Sequence, residues 1–69
     1  MNIDVRLADG DTDSYIDKKK GDTPTWHAYK VGDDDTLVIT KESVGADGAV
    51  TEQVGYYRTA QWTSVRESG

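Results

Sequence analysis

From Asn2 to Leu7 the chain alternates strictly: Ile3, Val5 and Leu7 are apolar, whereas Asn2, Asp4 and Arg6 are polar. Successive side chains of an extended strand point to opposite faces, so a period of two marks a strand with one buried and one solvated side. No segment sustains the 3.6-residue period that an amphipathic helix needs, which disfavours helix–turn–helix, ferredoxin-like and helical-bundle folds. The choice of apolar residues agrees. Valine and isoleucine dominate, leucine occurs only at Leu7 and Leu37, phenylalanine is absent, and the aromatics are Trp and Tyr. Such side chains suit a pleated, half-buried surface. With 69 residues, a chain buries only about 60% of the surface its unfolded form exposes. The expectation is one small β domain over residues 1–66, with 67–69 frayed.

Turn residues divide the remainder. Asp9-Gly10-Asp11-Thr12-Asp13 has turn chemistry, Ser14 to Lys18 reads as a short strand, and Lys18 to Asp22 as a connection. Pro24 sits where it costs no ladder bond, just before a strand over Thr25 to Val31. Spacing leaves open which face of that strand is core. Asp33-Asp34-Asp35 turns the chain into a strand over Thr36 to Val44, and Gly45-Ala46-Asp47-Gly48 forms a hairpin loop leading to a strand over Ala49 to Tyr56. Residues 57–67 alternate as a strand, so one long strand bent at Gly55 by a bulge is expected. A short helical turn over 57–61 is the alternative. Trp26 and Trp62 are the expected core anchors. Together these make an all-β antiparallel meander of five or six strands, curled as an SH3-like barrel or rolled sheet.

Composition excludes much chemistry. Without cysteine there is no disulfide, thiolate nucleophile, zinc finger or iron–sulfur cluster, and the single His27 cannot supply two imidazoles. No nucleophile elbow or phosphate-binding glycine loop occurs. Asp9-x-Asp11-x-Asp13 opens like a calcium loop, but Ser14 stands where glycine is needed and Lys20 where a bidentate glutamate is needed. It reads as a solvated turn. Neither an enzyme activity, a cofactor nor a metal site is expected, and His27 reads as a packed or edge histidine. The N-terminal stretch lacks the basic start and apolar run of a signal peptide, and no segment is apolar enough to span a bilayer, so a cytoplasmic location away from membranes is expected.

Charge carries the functional expectation. Thirteen acidic residues against eight Lys plus Arg give a net charge of -5, which opposes unaided binding of nucleic acid. If consecutive strands pair, the turns bearing Asp9, Asp11 and Asp13 and those bearing Asp33, Asp34 and Asp35 fall at one end. Lys18-Lys19-Lys20 falls at the other end, beside Asp47. Tyr56 and Tyr57 point to opposite faces of a strand, so one is exposed, and Tyr57 with Arg58 forms the expected interface hot spot. Those eight residues are the candidate partner-binding set, and a protein with a basic surface is the expected partner.

Small, acidic, cysteine-free β chains of this kind look like products of bacteria or their phages, including inhibitors that occupy a basic, nucleic-acid-binding surface. No motif ties this chain to a family. Two other readings stand beside that one: a small barrel binding single-stranded nucleic acid or oligosaccharide through its Trp and Tyr rings, and a structural subunit that associates through an edge strand.

Overall fold

A computed structural model describes residues 1–18, 24–45 and 48–68. Six strands follow one another: β1 (Asn2–Leu7), β2 (Thr12–Tyr15), β3 (Thr25–Val31), β4 (Leu37–Gly45), β5 (Gly48–Tyr57) and β6 (Trp62–Ser68). A 3₁₀ turn, Thr59–Gln61, separates the last two. The strands form two three-stranded antiparallel sheets, ordered β2-β1-β6 and β3-β4-β5, that do not close into a barrel. No helix among the described residues is long and apolar enough to cross a membrane.

Alternation places the core. Ile3 and Val5 of β1 and Leu37 and Ile39 of β4 are fully buried where the sheets face each other. Leu7, Tyr15, Tyr29, Tyr57, Trp62 and Val65 pack around them. On β3 the inward face is that of His27 and Tyr29, the point that spacing left open. Trp26 therefore lies on the opposite face and is no core anchor. It is half-buried, with its indole N–H donating to Glu42 Oε2 at 2.5 Å across the β3–β4 pair.

The strand boundaries differ from expectation by more than one residue at three places. β2 begins at Thr12 and ends at Tyr15, so Asp13 belongs to a strand and not to the preceding turn. Residues 57–67 are not one strand. β5 ends at Tyr57, the 3₁₀ turn follows within the 57–61 span of the alternative reading, and β6 enters the other sheet beside β1. Gln61 accounts for the break: its side-chain oxygen accepts the Arg58 backbone N–H at 2.9 Å, while its own N–H donates to the Arg58 carbonyl at 2.8 Å. The bulge lies close to where it was expected. Ile39 faces Gly55 while Thr40 faces Gln53, so Val54 is an extra residue without a partner on β4. A Cβ at Gly55 would collide with the Tyr15 hydroxyl, which is why the position takes glycine. At the C-terminus, Glu67 and Ser68 pair with Ile3 and Asn2. Of the expected Lys18–Lys20 and Asp47 cluster, only Lys18 is among the described residues, bridged to Thr25.

Candidate functional site

The two aspartate-bearing turns are built on one plan. In the first, the Gly10 N–H donates to the Leu7 carbonyl at 3.1 Å and the Leu7 N–H donates to the Asp11 carbonyl at 2.8 Å. In the second, the Asp35 N–H donates to the Gly32 carbonyl at 3.1 Å and the Gly32 N–H donates to the Thr36 carbonyl at 2.8 Å. Each closes on a left-handed residue, Gly10 at φ +96° and Asp35 at φ +60°. That conformation matches the twist of the flanking strands; glycine adopts it freely, and aspartate is among the few others that visit it. The middle aspartates are equivalent too. Asp9 Oδ1 accepts the Asp11 N–H at 2.9 Å, and Asp34 Oδ1 accepts the Thr36 N–H at 3.2 Å. The Thr36 side chain, and after it the Thr36 backbone N–H, hold the Asp34 carboxyl below its ordinary pKa, because a hydrogen bond to the charged form favours it.

The 3₁₀ turn sits between them. Its Gln61 carbonyl accepts the Ala8 N–H at 3.0 Å, tying down the first turn. The Thr59 hydroxyl donates to the Asp34 carbonyl and the Trp62 indole N–H to the Asp35 carbonyl, the latter at 2.8 Å, tying down the second. Asp9, Asp11, Asp33, Asp34 and Asp35 thus gather, all exposed, at one end of the molecule, with exposed Arg58 at the start of the 3₁₀ turn between them.

Two of the expected contact residues turn inward. Asp13 alternates with Thr12 and Ser14 on β2 and points toward the core side, and Tyr57 does the same on β5. The Tyr57 hydroxyl donates to Asp13 Oδ2 at 2.7 Å and meets the Tyr15 hydroxyl at 2.5 Å. With its one proton given to Asp13, Tyr57 accepts from Tyr15. Burial, and then these two neighbours, push the Tyr57 pKa up from its ordinary value. Strand parity makes Tyr56 the exposed ring, at 53% of its accessible surface. It borders a recess of about 440 Å³ lined by Leu7, Ala8, Asp9, Tyr56, Tyr57 and Gln61. Sequence reasoning missed Leu7, Ala8 and Gln61 as lining residues, because the recess exists only once the 3₁₀ turn has folded back on β1.

His27 lies elsewhere. It is 6% exposed, and Asp17 Oδ1 engages both its backbone N–H at 2.9 Å and its ring Nδ1 at 3.0 Å. Burial works against ionising Asp17. Hydrogen bonds from the Met1 ammonium and from His27 prevail, and the Asp17 pKa is lowered. This pair fastens β3 to the segment after β2. Among the described residues no group of three or more His, Asp or Glu side chains is placed to hold a metal ion.

Comparison with protein-family models, curated proteins and solved structures returned no match.

Proposed function

We propose that the chain is a non-enzymatic protein-binding module that docks its acidic end on a basic surface of another protein. The observation that supports this most is the setting of the exposed Tyr56 ring and its recess beside two turns carrying five exposed carboxylates. Concentrated charge of one sign speeds encounter with an oppositely charged partner and fixes its orientation. A tyrosine ring at the same place supplies contact area at low entropic cost. An incoming Lys or Arg fits this end: its apolar stem lies along Leu7 and Tyr56 while its charged head meets Asp9. Two carboxylates, of Asp9 and Asp34, are already held by the backbone amides of Asp11 and Thr36, which lowers the ordering cost of binding.

The fold is read here as an unclosed SH3-like roll, in which the 3₁₀ turn hands the chain from β5 back to β1. The partner in this reading is a cytoplasmic protein of a bacterium or phage-infected cell. Where its basic surface otherwise holds nucleic acid, the chain acts as its inhibitor.

The test is capture of partners on the immobilised chain, followed by kinetics with the purified partner. Asp11→Asn with Asp33→Asn removes two charges whose carboxylates take no part in the turn hydrogen bonds. The association rate should drop several-fold, and in the parent chain it should fall steeply with added salt. Tyr56→Ala should instead accelerate dissociation. Association that ignores both salt and the double substitution would defeat the proposal.

A further inference from the structure

The outer face of the first sheet carries a second feature, remote in chemistry from the acidic end. Opposite the buried Ile3 and Val5, β1 presents Asp4 and Arg6. β2 adds Thr12 and Ser14, and β6 adds Ser64 and Arg66. The face holds hydroxyls and charges and no apolar side chain at these positions. Register fixes the geometry: Arg6 pairs with Ser64 and Asp4 with Arg66. Arg6 and Arg66 are therefore diagonal neighbours on one face, with a backbone separation of about 7–8 Å. Asp4, Arg6, Thr12, Ser64 and Arg66 line a groove of about 240 Å³.

Two like charges set close together on one face repel each other, and two observations make this arrangement unlike an ordinary solvated face. Among the described residues neither guanidinium has a carboxylate within ion-pair distance. Asp4, which stands directly across from Arg66, accepts instead from the Ser14 hydroxyl on its other side at 2.8 Å. A chain with net charge -5 has thus set two guanidiniums side by side, neither paired with a carboxylate among the described residues, with the Asp4 carboxylate at the groove held by Ser14.

We propose that this groove binds a phosphate-sized tetrahedral oxyanion, gripped by the forks of Arg6 and Arg66 with the Thr12 and Ser64 hydroxyls donating from either side. Arginine presents paired N–H donors that match such oxygens bidentately. The anion is small because the groove is short and the net negative charge repels an extended polyanion. It comes either as the free ion or as a phosphoryl group on a larger molecule, and the two share this chemistry.

The experiment is an NMR titration of the whole chain with inorganic phosphate, at ionic strength held constant with chloride. Saturable shifts confined to the Arg6 and Arg66 side-chain N–H signals and to the Thr12 and Ser64 amides are expected. Arg6→Gln with Arg66→Gln should weaken binding by roughly tenfold to a hundredfold, the cost of losing charge-assisted hydrogen bonds. Both residues are exposed, so the fold should survive, as the tryptophan near-UV signal will report. Arg66→Lys should recover part of the affinity, and Asp4→Asn should strengthen binding by removing the one repelling charge. A phosphoserine peptide that binds more tightly than inorganic phosphate identifies a carried phosphoryl group; equal or weaker binding identifies the free ion. Shifts that never saturate, that chloride reproduces, or that persist in the double variant would overturn the proposal.

Discussion

The two aspartate turns share hydrogen bonds and backbone angles yet differ in what holds them. The first closes on Gly10 and is tied to the 3₁₀ turn by one backbone bond, from Ala8 to Gln61. The second closes on Asp35, which takes the left-handed conformation at a cost glycine does not bear, and is gripped by two side chains, Thr59 and Trp62. A strained turn persists where its surroundings over-determine it. The second turn thus carries a third carboxylate, Asp35, on a backbone that both Thr59 and Trp62 bond, and the Trp62 ring also packs against the core.

Trp62→Ala breaks this difference most severely. It removes a half-buried aromatic and the donor to Asp35, and should cost about 3 kcal/mol in denaturant unfolding. Amide exchange at Asp35 should rise more than at Gly10, since only the second turn loses its grip.

Exchanging the left-handed residues sharpens the comparison. Gly10→Ala should destabilise by about 1 kcal/mol, because a Cβ is placed at φ +96°. Asp35→Gly should be neutral or stabilising by up to about 0.5 kcal/mol, since relief of strain opposes the added freedom of the unfolded chain. A loss of stability in Asp35→Gly equal to that of Gly10→Ala would show that Asp35 is not strained.

The smallest effect is acid lability. Asp34 has a folded pKa below its ordinary 3.8. Its contribution to stability is present above about pH 4 and is lost as pH falls through the lower, folded value. Asp34→Asn should therefore lower the denaturation midpoint slightly at neutral pH and bring it to the parent's at low pH, flattening its fall below about pH 4.

Local periodicity made β1, β4 and the turns legible. The alternation of Ile3, Val5 and Leu7, and of Leu37 and Ile39, is the pattern of the two strands whose residues fill the core. Asp13 was assigned to the wrong element because a four-residue strand has too few positions to display its own period. Trp26 illustrates a different failure. Ring size suggests burial, but the face it shares with Ala28 and Lys30 is set by what β4 presents across from it. The Arg6–Arg66 groove was invisible for a topological reason. Those two residues lie 60 positions apart, and only the pairing of β1 with β6 makes them neighbours. The 3₁₀ turn had no glycine or proline to mark it, so the short helical turn over 57–61 stood only as the alternative to a strand; its signal was Gln61 capping Arg58.

The unmatched residue at Val54 has a consequence for how the molecule coexists with copies of itself. β5 lies at the rim of its sheet, and Gly48 to Val54 are all exposed, with Val50 at 58%. A rim of that length invites addition of a further extended chain. Any such chain, aligned with Thr51 to Gln53, meets the kink immediately afterwards and cannot continue in register toward Tyr57. A kink of that kind works against continuous templating along the rim.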